Sequence, residues 1–176
     1  MKKTFLTAAL LAVCSLAVAP AFASDGTITI TGKVVANTCT FNVNGSGSAS
    51  STVQLPVVFT TALNAAGAVA GKTPFTIAVT GCDSNLTSVQ EQFGGSNIDA
   101  TTGNLKNTAS GNNVEVQLLA GTGAGTVMNL STGTNSPVGT LSGGAVTLNF
   151  QAQYYATAAA TSGLVSTTVT YTTQYQ

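Results

Sequence analysis

The sequence has 176 residues and no His, and its five Lys and Arg balance its five Asp and Glu to a formal net charge of zero at pH 7. Only 6% of the residues are charged, whereas a surface that binds nucleic acid or an anionic membrane needs clustered cations. The composition therefore argues against both partners, and the absence of His leaves enzymatic catalysis few tools.

The first predicted element is a leader. Two lysines precede an apolar run over residues 5–18, and small residues follow that run. This order is typical of a secretory signal peptide, and we predict one over residues 1–23, cleaved between Ala23 and Ser24. The run is shorter than the roughly 20 residues that span a membrane, and no second run follows, so direct membrane insertion is not expected.

Three cysteines occur, and one of them lies in the leader. The residues before Cys14 loosely resemble a lipidation box, but Val13 is bulky where such a box needs a small residue, so Cys14 is expected to leave with the leader. Cys39 and Cys82 form an even pair in an exported chain, which indicates one disulfide that would restrict the unfolded chain by about 4 kcal/mol. Two buried free thiols are the alternative, and zinc is disfavoured because two sulfurs without His do not complete a tetrahedral site.

The first half of the exported chain has three segments with strand character. Strands are predicted over residues 26–35, 52–60 and 73–81. Pro56 interrupts the second of these, which suits an edge strand or a bulge. Residues 38–43 are predicted to be extended up to a turn at 45–48, and residues 62–71 are predicted to be a loop rather than a short helix.

The second half contains longer irregular stretches. Strands are predicted over residues 114–119, 127–130, 145–156 and 165–175. Residues 85–113 are predicted to be irregular because glycines interrupt them, and turns are predicted at 121–125 and 157–163.

Short strands at this spacing, without a convincing helix, predict a single all-β domain of the sandwich or barrel type. The last strand places Val165, Val169, Tyr171 and Tyr175 on one face, and we expect no element after it to cover its edge. A long uncovered edge is a template for pairing with another chain. The sequence therefore predicts a subunit that shares strands with its neighbours.

Two of three carboxylates, Glu91, Asp99 and Glu115, could in principle form a catalytic acid and base pair. Nothing in the sequence brings two of them together, so they are predicted to be scattered and solvated. The Gly-rich run at 121–125 is not followed by a helix and is not expected to bind phosphate. No catalytic residue, metal or cofactor is predicted.

The chain resembles the type-1 fimbrial pilins of the chaperone–usher pathway over essentially its whole exported length. Each matching segment is short, but their order is specific, together with a leader and a penultimate Tyr. The segments are GTITITGKVV at 26–35, Cys39, GC at 81–82, VEVQLL at 114–119, FQAQYYAT at 150–157 and QYQ at 174–176.

This resemblance implies an incomplete immunoglobulin-like β-sandwich over residues 37–176 that lacks its last strand and is completed by donor-strand exchange. Residues 24–36 would be the donor extension, and Cys39 would pair with Cys82. The donor residues facing a neighbour's groove would be Gly26, Ile28, Ile30, Gly32 and Val34. The C-terminal strand that accepts the donor, and that a chaperone binds first, would include Val165, Val169, Tyr171, Tyr175 and Gln176.

The resemblance also implies a function without chemistry. The chain would be a structural subunit of an adhesive surface fimbrium, exported through the periplasm to the cell surface. Its partners would be identical or related pilin subunits, a periplasmic chaperone and an outer-membrane usher. The alternative is a minor adaptor or tip-associated adhesin, although a lectin domain has no room in the 153 residues that remain when the 23-residue leader is removed from 176.

Overall fold

The structure is a computed structural model and describes residues 28–34, 39–109 and 111–176. The predicted signal peptide, its cleavage between Ala23 and Ser24, and the predicted donor residue Gly26 lie outside the described residues.

The chain divides into two units, Met1–Lys33 and Val34–Gln176. In the first unit, residues 28–33 form neither helix nor strand and are exposed. The side chains of Ile28 and Ile30 are 89% and 90% exposed. The strand predicted over residues 26–35 is therefore not formed by the part of it that the structure describes.

The second unit contains nine strands among its described residues. They are β1 Thr40–Val43, β2 Val69–Thr80, β3 Ser88–Gly94, β4 Leu105–Lys106, β5 Val114–Ala120, β6 Thr126–Val127, β7 Val138–Thr140, β8 Val146–Ala156 and β9 Thr170–Tyr175. One short 3₁₀ helix, Thr60–Leu63, precedes β2. None of the described helical segments is long and apolar enough to cross a bilayer. The all-β class predicted from the sequence is confirmed.

The strands form two sheets with antiparallel pairing at every strand pair. The larger sheet has the order β1-β2-β8-β5-β4, with β6 beside β5, and the smaller sheet has the order β7-β3-β9. Buried residues of both sheets join one hydrophobic cluster, including Ile77 of β2, Phe150 of β8 and Phe93 of β3. The two sheets therefore pack face to face as a sandwich.

The centre of the larger sheet is the pair of long strands β2 and β8. Alternate residues of β2 are buried, as expected where one face of a strand lies on a core. Phe75 stands opposite Phe150, and Ile77 stands opposite Leu148, so the apolar faces of the two strands coincide. This register forms the apolar face of the larger sheet, against which the smaller sheet packs.

Three sequence predictions fail at the borders of the sandwich. Residues 52–60 form no strand, although burial alternates from residue 52 to residue 56, because no strand among the described residues pairs with them. Strand β3 lies inside the stretch predicted to be irregular. The last strand begins at Thr170 rather than at 165, and residues 165–169 continue its alternating burial without ladder pairing.

Candidate functional site

A groove of about 830 Å³ opens along one side of the sandwich. One wall is formed by residues 49–55 and the other by residues 165–175. The lining is aliphatic and aromatic with Ser, Thr and Gln at its margins, and within the described residues no charged side chain lines it. The groove therefore suits an apolar, uncharged occupant.

The floor of the groove is formed by side chains of the hydrophobic core. Phe41, Phe75 and Phe93 line it, and the rings of Phe75 and Phe93 pack on buried Phe150 with centroids 5.3 Å and 5.1 Å from it. The ring of Tyr171 packs against Phe41 at 6.0 Å. Phe41 and Tyr171 are half-buried, whereas Phe75 and Phe93 are 7% and 5% exposed, so the core reaches the groove mainly through the first two rings.

Strand β9 forms the wall of the groove at the edge of the smaller sheet. Within the described residues it pairs with β3 alone, from Gly94↔Thr170 to Val89↔Tyr175. Odd-numbered residues from 165 to 173 are half-buried, and the even-numbered residues between them are exposed. The outer edge of β9 thus offers a row of backbone donors and acceptors above an apolar face, which is the arrangement that accepts an added strand.

The opposite wall is extended chain that belongs to neither sheet. Val53 and Leu55 pack against the core from this wall. Two tyrosines of β9 reach across towards the N-terminal part of the domain: the Tyr171 hydroxyl donates to the Ala49 carbonyl oxygen at 2.8 Å, and the Tyr175 hydroxyl is hydrogen-bonded to the backbone of Cys39. The bond from Tyr171 links the two walls, the bond of Tyr175 links β9 to the start of β1, and both are made by side chains, so the backbone edge of β9 stays open.

Glu91 lies beneath β9, and the prediction that its side chain is solvated is wrong. It was predicted to be solvated, but its exposed fraction is 0%, because it alternates with Val89 and Phe93 on the core-facing side of β3. The Thr173 hydroxyl lies 2.9 Å and 2.8 Å from its two carboxyl oxygens. Burial raises the pKa of Glu91, and the hydrogen bond from Thr173 opposes that change.

The other two acidic candidates lie elsewhere. Glu115 is also buried, contrary to the prediction, and its carboxylate accepts hydrogen bonds from the Thr102 hydroxyl at 2.7 Å and the Asn104 amide at 3.2 Å. Asp99 is more exposed, and the backbone amides of Thr101 and Thr102 lower its pKa. The described part of the chain holds no cluster of three potential metal ligands. Asp99 and Glu115 meet at Thr102, whose backbone amide donates to Asp99 and whose hydroxyl donates to Glu115, and they stabilise this loop.

The predicted acceptor residues are brought together except for the last one. Val165, Val169, Tyr171 and Tyr175 line the groove. The carbonyl oxygen of Gln176 instead accepts from the amides of Thr87 and Ser88 at 2.8 Å and 3.2 Å, beyond the end of the groove. The disulfide between Cys39 and Cys82 is present, with an S–S distance of 2.01 Å. It ties the start of β1 to the end of β2.

The predicted donor residues are described in part. Ile28, Ile30, Gly32 and Val34 are exposed, and a Cβ added at Gly32 would meet no atom within 4 Å. Sequence reasoning missed the opposite wall of the groove at residues 49–55 and the aromatic floor. The alternation of Val53 and Leu55 is a signal for that wall, although the sequence predicts an edge strand or a bulge there.

Comparisons with known proteins agree with this geometry. A family model described as fimbrial protein matches residues 28–176. The chain is 44% identical to a major fimbrial subunit of Stenotrophomonas maltophilia over 91% of this chain and 99% of that protein. It is 37% identical to the type-1 fimbrial protein A chain of Escherichia coli over the full length of both. The crystal structure of the P pilus rod subunit has the same fold, with a TM-score of 0.63 at 20% identity over 80% of this chain and all of that one.

Proposed function

Because the chain belongs to the fimbrial protein family, we propose that it is a structural subunit of an adhesive surface fimbrium whose groove accepts a strand donated by another subunit. This family consists of structural proteins and not of enzymes. One observation carries the proposal: the hydrophobic core opens into a groove beside the free edge of β9. The same chain carries an exposed segment with aliphatic residues at alternate positions.

The occupant of the groove is residues 24–36 of an identical or related subunit. Ile28, Ile30 and Val34 of that subunit enter the apolar lining, and burying three aliphatic side chains contributes about 5–8 kcal/mol. The donor backbone extends the smaller sheet by pairing with β9, while the intervening Thr residues face solvent. Gly32 allows the donor backbone to approach the groove closely because it has no Cβ.

The donor strand runs antiparallel to β9. All pairings in both sheets are antiparallel, and the same pairing on the free edge continues that pattern. With Gly26 beside Tyr175, Val34 lies beside Thr167, two residues from Val165. The five donor positions from 26 to 34 span about 26 Å at roughly 3.3 Å per residue, which is shorter than the wall of residues 165–175.

The names of the relatives support the repeating shaft subunit rather than a minor adaptor or tip adhesin. Before assembly, the open groove exposes apolar core and a free strand edge, which is an aggregation hazard. A periplasmic chaperone therefore binds the C-terminal strand first, and an outer-membrane usher delivers the subunit to the growing fibre. The fibre is extracellular, and no cofactor takes part.

A matched pair of substitutions in the donor segment tests this function. Ile30→Asp places a charge in an apolar groove, which is costly, and it should abolish fibres seen by electron microscopy. Thr29→Asp places the same charge on the solvent side of the strand and should leave the fibres intact. Normal fibres from the Ile30→Asp chain would refute the donor role.

A further inference from the structure

Three large apolar side chains stand exposed at one end of the groove. Val57, Phe59 and Leu164 are 97%, 82% and 78% exposed, and we call these three residues the rim patch. They line a second depression of about 530 Å³. The residues shared by the linings of the groove and of this depression are Gln54, Leu55, Tyr154 and Val165. The rim patch is therefore continuous with the Val165 end of the groove.

The backbone explains why these side chains point outward. Val53 and Leu55 pack inward against the core, and Val58 packs inward against a second small cluster. The step from Leu55 to Val58 spans Pro56 and breaks the alternation, so Val57 and Phe59 face solvent. Adjacent exposed apolar side chains of this size mark an interaction surface. No charged side chain lines this depression among the described residues, so its partner is apolar at the contact.

The short distance along the chain from Val34 to Cys39 identifies that partner. In the proposed antiparallel arrangement, Val34 of the donor lies at the Val165 end of the groove. The domain of the donor subunit begins at Cys39, five residues later. Five residues span at most about 17 Å. That domain is therefore forced to lie against the end of the groove where the rim patch is exposed.

We propose that the rim patch is the docking surface for the folded domain of the adjoining subunit, a second copy of this chain whose extension occupies the same groove. The covering part is the end of that domain near the Cys39–Cys82 disulfide. This contact would fix the orientation of consecutive domains by a second link, in addition to the donated strand. The inference rests on the proposed function, because it requires the donor strand in the groove.

Thiol labelling of intact fibres tests the contact. Fibres of the Phe59→Cys variant are treated with a maleimide, and fibres of the Val138→Cys variant serve as the control. Val138 is 55% exposed and lies on β7, at the edge of the smaller sheet opposite β9. Cys39 and Cys82 are bonded to each other, so the introduced thiol is the one that reacts. We expect Phe59→Cys to react at least tenfold more slowly than Val138→Cys in fibres, and equally fast after dissociation in denaturant. Leu164→Cys provides a second site with the same expectation.

Assemblies of two subunits show which neighbour protects the thiol. In such a pair, one groove holds a donor strand and the other groove does not. Half of the Phe59→Cys thiols should be protected in them. Full labelling of these pairs, or equal rates for the two variants in fibres, would overturn the proposal. A failure of the unsubstituted chain to form fibres would instead count against the proposed function.

Discussion

Glu91 is the residue whose environment departs most from that of an ordinary surface carboxylate. It occupies a core-facing position between Val89 and Phe93, and Thr173 is its hydrogen-bond partner. The titratable groups that interact with it are Tyr171 and Tyr175 on β9. Burial is the main reason that the pKa of both hydroxyls is raised, and the charge of Glu91 raises it further. The one ion pair found within the described residues joins Lys106 to Asp99 at 3.6 Å. Glu91 is therefore buried without a cation beside it.

The pH dependence of Glu91 follows from this burial. Its pKa in the folded subunit is raised above the ordinary value of 4.5, so the folded state holds the proton more tightly than the unfolded state. The stability that Glu91 contributes is complete below pH 4.5 and is lost as the pH rises through the raised pKa. Glu91→Gln removes the ionisation and should stabilise the assembled subunit at neutral pH by about 1 kcal/mol, or roughly 3 °C in Tm.

Thermal dissociation of fibres between pH 4 and pH 8 measures this effect. The difference in dissociation temperature between the Glu91→Gln and unsubstituted fibres should be largest at neutral pH and should disappear as the pH falls. A Glu115→Gln fibre serves as the control, because Glu115 is buried away from the groove and accepts two hydrogen bonds. A gap for Glu91→Gln that stays constant across the range would contradict the assignment.

Among the elements, the long strands β2, β5 and β8 could be predicted because their sequences either alternate apolar with polar residues or contain a continuous apolar run. Strand β3 could not, since Glu91 takes a core-facing position and polar residues fill its other face. Residues 52–60 show the opposite failure: Val53 and Leu55 are half-buried at alternate positions as in a strand, but no strand among the described residues pairs with them. The groove itself depends on which edges meet in space, and one sequence does not carry that information without the family resemblance.

The end of β9 allows a prediction about the acceptor wall. Deleting Tyr175 and Gln176 removes three backbone hydrogen bonds of Gln176, to Thr87 and Ser88, at about 0.5–1.5 kcal/mol each. It also removes a groove-lining ring. The truncated chain should accumulate to a lower level in the periplasm and should be degraded faster. Gln176→Ala keeps the backbone bonds and should accumulate normally; equal levels of the truncated and unsubstituted chains would contradict this role of the strand end.

For the whole molecule, the proposed function gives each subunit one groove to be filled and one extension to donate. A chain that lacks residues 24–33 keeps the groove but cannot complete a neighbour, so by itself it should form no fibres. When it is coexpressed with the unsubstituted chain, it should enter each fibre at most once, at one end. Mass spectrometry of sheared fibres measures the ratio of the two chains, and truncated copies in proportion to their expression would refute this arrangement.

Completion of the sandwich by a strand from the neighbouring copy is the step on which the proposed function depends. Cryo-electron microscopy of the assembled fibre tests it most directly, at a resolution that traces the connection from Val34 to Cys39. We predict density for residues 26–34 of one subunit beside β9 of the next, with Ile28 and Ile30 over the aromatic floor. A fibre in which these residues occupy the groove of their own subunit, or in which the groove holds no strand, would contradict the account.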